Sequence, residues 1–200
     1  MLKTYILTSG KTRSELFGGV DTVKCLLSLK LGKTILDYQL SMLQKFPLDI
    51  YIVIGYQGEK IIEYCTSMHY NVKFLWDRTW KKKYATSRII LDNPEFTGPL
   101  MIIFGDALFN PDVITWTLKQ KADLCIPISS VLKFNGKGIE TAKDILANQL
   151  DHIGFTVNLF REMEERGLQV KRFAGPIWHS DVDRQEHLKT ARDWAKWRDF

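Results

Sequence analysis

Short apolar runs recur at regular intervals along this chain and alternate with segments that have helical spacing. Each run is rich in β-branched residues and apolar at successive positions, which is typical of strands covered on both faces of a parallel sheet. The runs are TYILTS (4–9), DIYIVIG (49–55), VKFLW (72–76), PLMIIFGD (99–106) and DLCIPIS (123–129).

The segments between these runs have the apolar spacing of amphipathic helices. They are residues 32–46, 58–67, 83–93 and 110–120. In the last of them, Asn110 is the expected N-cap and Pro111 the expected first helical residue. The repeated alternation predicts a doubly wound α/β fold, with a mostly parallel sheet and helices on both faces.

The last third of the chain is less regular. NGKG (135–138) predicts a turn, and 156–167 predicts an amphipathic helix that Gly167 ends. QVKRF (169–173) predicts a strand, and 184–197 predicts a final helix. Because no repeat, linker or low-complexity segment is present, we expect residues 1–200 to form a single domain.

Composition narrows the class of protein. Hydrophobic residues make up 45% and charged residues 26%, as in globular proteins. The start of the chain lacks a signal-peptide pattern and no apolar run nears the ~20 residues that span a bilayer, so we expect a cytoplasmic protein without a membrane partner. Cys25, Cys65 and Cys125 form no CxxC pair, which favours reduced thiols over zinc or disulfides.

The net charge of +5 suits an anionic small substrate. The basic residues are dispersed except for Lys81, Lys82 and Lys83, so we expect no nucleic-acid partner. The sequence does not indicate the oligomeric state.

The loop that begins at LTSGKTR (7–13) has residues suited to binding phosphate. It is not a Walker A loop, because that motif requires a glycine where this chain has Tyr5. It nevertheless follows the first predicted strand, where open α/β sheets bind ligands. Its glycines allow backbone N–H groups to approach an anion, and its basic residues add charge. These residues are Gly10, Gly18, Gly19, Lys11, Arg13 and Lys24. A solvated surface loop remains the alternative.

Several motifs resemble, in order, those of one known family. LTSGKTR…VKCLLSLKLGKTILDYQLSML (7–43) resembles the opening LAAGxGTR, KPLL and GKPLLEYQL. GYQGEKIIEYC (55–65) resembles the next strand-to-helix turn, and IIFGDALF (102–109) resembles a strand ending in Gly-Asp. WHSDVDRQEHLKTA (178–191) is similar to W-x-x-I-D-T-P-E-D-L-x-x-A. The family is the sugar nucleotidyltransferases, and WDRTWKKKYATSRIIL (76–91) is similar to its phosphocholine cytidylyltransferase branch.

The resemblance implies a Rossmann-like, GT-A-type domain. It also implies transfer of a nucleotidyl group from a nucleoside triphosphate to a small phosphorylated acceptor, with release of pyrophosphate and with Mg²⁺ as cofactor. By matched position, Asp106 and Asp183 are the implied metal ligands. Lys24 would meet charge developing on the α-phosphate, and Arg13 would hold the β- and γ-phosphates. Further nucleotide contacts fall on Thr8, Ser9, Gly10, Lys11 and Gly105.

Both carboxylates also have a structural interpretation. Asp106 could cap the turn before the helix at 110–120 through its carboxylate, and Asp183 could N-cap the final helix, where Glu186 would complete an acidic first turn. Asp181 is a rival metal ligand.

Two other functions remain open. A glycosyltransferase of related fold would use Asp181-Val182-Asp183 as an Asp-x-Asp metal motif. A non-catalytic nucleotide-binding module is favoured by a glycine loop one residue shorter than GxGTR and by the shortened acceptor region between 130 and 180.

CTP and phosphocholine are the favoured substrates. The similarity of 76–91 supports them, and the short region between 130 and 180 leaves less protein to surround a hexose. Trp76, Trp80 and Tyr84 could form an aromatic wall for a quaternary ammonium.

Overall fold

The structure is a computed structural model that describes residues 1–11, 17, 21–82, 85–149, 157–174 and 178–196. Its strands are Leu2–Leu7 (β1), Ser28–Lys30 (β2), Lys33–Thr34 (β3), Leu48–Ile54 (β4), Lys73–Trp76 (β5), Leu100–Phe104 (β6), Ala107–Phe109 (β7), Leu124–Ile128 (β8), Val131–Phe134 (β9), Val170–Arg172 (β10) and His179–Asp181 (β11). Its helices are Ile35–Leu43 (α1), Gly58–Ser67 (α2), Ala85–Asp92 (α3), Asp112–Lys119 (α4), Gly136–Gln149 (α5), Val157–Glu165 (α6) and Gln185–Ala195 (α7). A 3₁₀ turn spans Lys24–Leu26.

The central sheet has the strand order β10-β8-β9-β6-β1-β4-β5. β1 pairs in parallel with β4 and β6, β4 with β5, and β8 with β10. Among the strands that the structure describes in this sheet, only β9 runs antiparallel to its neighbours, β6 and β8. The predicted mostly parallel α/β sheet is therefore confirmed, with each predicted strand in it.

Helices cover both faces of this sheet, as predicted. The core of one face lies under α3, α5 and α6, where Ile89, Ile145 and Leu159 are buried. The core of the other face lies under α1, α2 and α4, where Leu40, Ile61 and Val113 are buried. Burying each such side chain stabilises the fold by about 1.5–3 kcal/mol.

The C-terminal helix α7 belongs to a third apolar cluster beside the sheet. Leu188, Ala191 and Ala195 of α7 pack with Leu29 of β2 and Leu108 of β7. This packing holds the end of the chain near the carboxyl ends of the central strands.

The turn predicted at NGKG (135–138) is wrong, because these residues begin helix α5. The side-chain carbonyl of Asn135 accepts a hydrogen bond from the Gly138 N–H at 2.7 Å, as an N-cap does. Asn-Gly is a frequent turn signal, but Ile139, Ala142 and Ile145 supply a buried helical stripe downstream. The strand before α5, β9, was also not predicted from the sequence.

Helix α4 begins later than predicted. Its N-cap is Pro111, with φ of −55°, and its first helical residue is Asp112. Asn110 instead accepts the N–H of Val113 with its backbone carbonyl, at 3.0 Å.

The three cysteines are free and buried, as the sequence predicts for reduced thiols. Burial raises the pKa of each thiol, that of Cys65 to about 12, so none is poised as a nucleophile. In the described part of the chain, no helix has the length and apolar character needed to cross a membrane.

Candidate functional site

The residues that follow the central strands meet at the carboxyl edge of the sheet. Leu7 lies opposite both Val53 and Phe104, so Thr8 emerges between the ends of β4 and β6. Open α/β sheets bind ligands at this edge. A cleft opens there, lined by the start of the glycine loop, by Lys24 and by Asp106.

Thr8 and Ser9 use their hydroxyl groups to fix the start of the loop. The Thr8 Oγ1 donates to the Val53 carbonyl at 2.7 Å, and the Ser9 Oγ donates to Asp77 Oδ2 at 2.7 Å. Both residues are buried. The Thr8 N–H also donates to the Val53 carbonyl, at 2.9 Å, so the backbone N–H of Ser9, rather than either hydroxyl group, would make any contact with a phosphate.

Gly10 and Lys11 are exposed and lie next in the loop. A Cβ placed on Gly10 would meet no heavy atom within 4 Å, so its backbone is open to a ligand. The Lys11 ammonium lies 5.3 Å from the centroid of the Tyr56 ring. Arg13, Gly18 and Gly19 lie outside the described residues, and the role of Arg13 stays a prediction.

Gly105 is required by a close approach between β6 and β1. Its N–H donates to the Leu7 carbonyl at 2.9 Å. A Cβ there would lie 2.6 Å from Thr8 Cγ2, closer than real contacts allow. This packing explains the glycine of the Gly-Asp motif, and a nucleotide contact by Gly105 stays a prediction.

Gln39 holds the turn that carries Asp106. This side chain is fully buried on α1, and its Nε2 donates to the carbonyls of Phe104 and Ala107, both at 2.8 Å. These carbonyls flank the turn on either side. The sequence analysis missed Gln39, since a glutamine within a helical stripe carries no signal of this role.

The C-terminal segment returns to the same turn through a short antiparallel ladder. Asp181 of β11 lies opposite Ala107 of β7. The N–H of Val182 donates to the Asp106 carbonyl at 2.9 Å. Asp183 is thereby brought beside Asp106 from the other end of the chain.

Lys24 lies between these two carboxylates. Its Nζ is 2.7 Å from Asp106 Oδ2 and 2.6 Å from Asp183 Oδ1. The two oxygens are therefore at most 5.3 Å apart, the sum of the two distances. Burial lowers the pKa of Lys24, but the charges of Asp106 and Asp183 and their hydrogen bonds outweigh it. The pKa is raised overall, and the side chain is a cation at neutral pH.

The two carboxylates suit Mg²⁺. Two oxygen ligands on one Mg²⁺ lie at most about 4.2 Å apart, which is compatible with the upper bound of 5.3 Å between Asp106 Oδ2 and Asp183 Oδ1. Phosphate oxygens and waters normally complete the coordination shell. The Lys24 ammonium takes the place of a cation between Asp106 and Asp183. Neither here nor elsewhere in the described part of the chain do three His, Cys, Asp or Glu side chains come together as a metal site.

Asp181 is held apart from Lys24 by its own partner. The hydroxyl of Ser130 donates to Asp181 Oδ1. Burial raises the pKa of Asp181, and the negative charges of Asp106 and Asp183 raise it further, against the lowering effect of the Ser130 bond. Asp183, rather than Asp181, makes the contact with Lys24.

The structural alternatives for the two carboxylates are not seen. The Asp106 carboxylate accepts a hydrogen bond from Lys24 and none from the turn before α4, and α4 has no side-chain cap at its N-terminus. Helix α7 has Arg184 at its N-cap position and also lacks a side-chain cap, so Asp183 does not cap it.

Two of the three aromatic residues of the predicted wall, Trp76 and Trp80, are described. Trp80 packs against Tyr56, with ring centroids 5.5 Å apart and ring planes tilted by 54°. Trp76 is 47% exposed and lines a neighbouring cleft together with Arg78. Tyr84 lies outside the described residues.

The architecture is that of a Rossmann-like nucleotidyltransferase fold. No protein-family model matches the sequence, and no curated protein matches it. Solved structures do match over nearly the whole chain.

Three of these structures illustrate the likeness. A Bacillus anthracis protein, provisionally assigned as a glucose-1-phosphate thymidylyltransferase, has a TM-score of 0.74 at 16% identity and covers 100% of this chain and 97% of its own. The CTP:phosphocholine cytidylyltransferase of Streptococcus pneumoniae has a TM-score of 0.67 at 15% identity, covering 96% and 98%. The inositol-1-phosphate CTP transferase of T. maritima has a TM-score of 0.64 at 12% identity, covering 100% and 98%. The resemblance to sugar nucleotidyltransferases is thus confirmed at the level of the fold.

Proposed function

We propose that this protein is a nucleotidyltransferase of the sugar-nucleotidyltransferase family, which joins a nucleoside triphosphate to a small phosphorylated acceptor and releases pyrophosphate. One observation carries the proposal: Lys24 lies between Asp106 and Asp183 at the carboxyl edge of a parallel sheet, next to a loop whose Gly10 backbone is open. The turn after β6 and the antiparallel ladder between β7 and β11 bring Asp106 and Asp183 to Lys24.

Charge neutralisation and positioning are what this reaction requires. Asp106 and Asp183 would hold Mg²⁺, which when bound neutralises phosphate charge and stabilises the leaving pyrophosphate. Lys24 would then turn from the carboxylates to the α-phosphate, where its ammonium meets the charge that develops in the transition state. The Gly10 backbone and Lys11 would contact the phosphate chain, with Arg13 on its β- and γ-phosphates.

The acceptor needs no general base. Its phosphate oxygen is already an anion at neutral pH, and it attacks the α-phosphorus in line with the departing oxygen. A bond forms between the acceptor oxygen and the α-phosphorus, while the bond from the α-phosphorus to the bridging β-oxygen breaks. Pyrophosphate leaves with that electron pair, so atoms and charge balance without a further reactant.

CTP is the favoured donor and a small phosphorylated alcohol the favoured acceptor. Two of the solved structures described above are, by name, enzymes that use CTP with phosphocholine and with inositol 1-phosphate. The similarity of 76–91 to the phosphocholine cytidylyltransferase branch supports the same choice. The rings of Tyr56 and Trp80 would supply the aromatic corner for a quaternary ammonium.

The test is pyrophosphate release by purified protein with Mg²⁺ and each of the four nucleoside triphosphates. Each is paired with phosphocholine, inositol 1-phosphate or a hexose 1-phosphate. We expect release with CTP and a phosphorylated alcohol, and about 100-fold less with Lys24→Ala. Lys119→Ala, which removes an exposed lysine at the end of α4, is the matched control and should keep wild-type activity.

Two outcomes would change the account. Release with UTP or dTTP and a hexose 1-phosphate, but not with CTP, would replace the substrates and keep the reaction class. No release with any pair would contradict the proposed reaction and favour a nucleotide-binding module.

A further inference from the structure

Asp77 joins the glycine loop to a second connection at the carboxyl edge of the sheet. It directly follows β5 and is only 2% exposed. Its Oδ2 accepts the hydroxyl of Ser9 at 2.7 Å. Its Oδ1 accepts both the backbone N–H and the hydroxyl of Thr79, each at 2.7 Å. One carboxylate therefore links the start of the loop to the turn before α3.

The connection after β4 lies between these two segments. The N–H of Tyr56 donates to the Ser9 carbonyl at 3.0 Å, and the N–H of Asp77 donates to the Ile54 carbonyl at 2.8 Å. A Cβ on Gly55 would lie 2.8 Å from the Ser9 carbonyl oxygen and 2.9 Å from the Trp80 Cβ. Ser9 and Trp80 thus both pack closely where a Gly55 side chain would lie.

This arrangement fixes Ser9 through both its side chain and its backbone. Gly10 and Lys11, the next two residues, are the exposed part of the loop that faces the cleft. A shift of Ser9 would move their backbone groups directly. Without Asp77, the Ser9 hydroxyl and the Thr79 N–H would each lose a buried acceptor.

We propose that Asp77 is a positioning residue for the nucleotide: it holds the glycine loop in its phosphate-binding conformation through Ser9. This inference rests on the proposed function. Asp77 touches no reacting atom in this role and acts through the Ser9 side chain. The same carboxylate holds the segment that carries Trp80, so the nucleotide loop and the aromatic corner beside Tyr56 are set by one group.

The competing explanation is that Asp77 only stabilises its own turn, through Thr79. Two variants separate these roles. Ser9→Ala removes the link to the loop and leaves both Thr79 bonds in place. Thr79→Val removes a hydroxyl bond of the same length to the same carboxylate and leaves the Ser9 link in place.

The first experiment measures kcat and nucleotide KM for Ser9→Ala, Asp77→Ala, their double variant and Thr79→Val. We expect Ser9→Ala and Asp77→Ala each to raise the KM about tenfold, as for loss of a hydrogen bond to a charged group, with kcat changed much less. The double variant should be no worse than the worse single variant, because both act through one bond. Thr79→Val should lower the melting temperature while keeping the KM within about twofold of wild type.

Asp77→Asn guards against an Asp77→Ala variant that does not fold. Its carbonyl can still accept the Thr79 N–H, while its amide can donate to the Ser9 hydroxyl, so it should recover most of the nucleotide affinity. An unchanged KM in Ser9→Ala, or a KM in Thr79→Val raised as much as in Ser9→Ala, would overturn the proposal.

Hydrogen exchange of the Tyr56 amide tests the same claim without any activity. This amide donates to the Ser9 carbonyl, so Asp77→Ala should raise its exchange rate at least about tenfold, and Thr79→Val should not. A wild-type protein that releases no pyrophosphate would contradict the proposed function alone. Tyr56 exchange that stays at the wild-type rate in Asp77→Ala would contradict the positioning role alone.

Discussion

The Lys24 ammonium lies 2.6 Å from Asp183 Oδ1, although 159 residues separate the two along the chain. The same nitrogen lies 2.7 Å from Asp106 Oδ2. Without nucleotide, the lysine neutralises the two carboxylates and keeps them together. In the proposed reaction, Asp106 and Asp183 would hold Mg²⁺, and Lys24 would then be available to contact phosphate.

The carboxylate pair should determine the dependence on metal. We expect Asp106→Asn and Asp183→Asn each to reduce pyrophosphate release by at least about 100-fold at low Mg²⁺, because each removes a charged oxygen ligand. The side chain of Asp183 is 57% exposed and that of Asp106 is 23% exposed. Added Mg²⁺ should therefore restore more activity to Asp183→Asn than to Asp106→Asn. Activity measured against Mg²⁺ concentration gives the test. Asp193→Asn, on the exposed side of α7, is the control and should have the activity of wild type. If both site variants keep the wild-type dependence on Mg²⁺, Asp106 and Asp183 are not its ligands.

Lys24 and Arg13 should affect different kinetic constants. Lys24→Ala should mainly lower kcat, because the ammonium meets charge that appears in the transition state. Arg13→Ala should mainly raise the nucleotide KM, through loss of a charge-assisted bond worth about 1.5–3 kcal/mol. Steady-state kinetics with varied nucleotide separates the two effects. If both variants keep the wild-type kcat and KM, the loop does not bind the nucleotide and is a solvated surface loop.

Gly105 and Gly10 make a matched pair of glycine substitutions. Gly105→Ala places a methyl group 2.6 Å from Thr8 Cγ2, and we expect it to destabilise the fold by about 1–3 kcal/mol. Gly10→Ala meets no atom within 4 Å and should keep the stability, while raising the nucleotide KM where the backbone approaches phosphate. Urea denaturation and nucleotide KM measure the two effects. Equal stability of both variants would contradict the close approach of β6 to β1.

The stability of Asp181→Asn should depend on pH. The pKa of Asp181 is raised in the folded state, so its charged form destabilises the fold. This cost is absent below the unfolded pKa of about 3.9 and grows as pH rises through the folded pKa. Asp181→Asn should therefore melt at a higher temperature than wild type at pH 7, and the difference should vanish towards pH 3–4. Melting curves in EDTA test this.

Asp193→Asn is the control for that measurement. The hydrogen bond from Lys196 lowers the pKa of Asp193, so its substitution should give no gain at neutral pH. A lower melting temperature of Asp181→Asn at pH 7 would contradict the predicted sign.

The central sheet could be predicted from sequence because its strands are continuous apolar runs. β1, β4 and β6 are buried on both faces and leave no other pattern to compete. Helix α5 was missed because Asn135 and Gly136 carry a strong local turn signal, while the stripe that stabilises the helix begins only at Ile139. In α5, the packing of these apolar residues against the core outweighs the local turn signal of Asn135 and Gly136.

The site could be predicted only in part. Asp106, Lys24 and Asp183 became candidates because they match motifs of a resembled family, and Asp106 also comes at the end of an apolar run. Their mutual contact depends on β7 and β11, which are three residues each and too short to carry a periodicity. Asp77 directly follows β5, and Asp106 is the second residue after β6, so a carboxylate close behind an apolar strand was the signal available for Asp77.

The most direct test of the central claim follows the phosphorus atoms of labelled CTP in a reaction with phosphocholine and Mg²⁺. We expect label at the α-phosphorus to appear in the product linked to the acceptor and label at the γ-phosphorus to appear in pyrophosphate. Lys24→Ala should form both about 100-fold more slowly. Transfer of the γ-label to the acceptor, or release of the α-label only as free nucleotide, would contradict nucleotidyl transfer at this site.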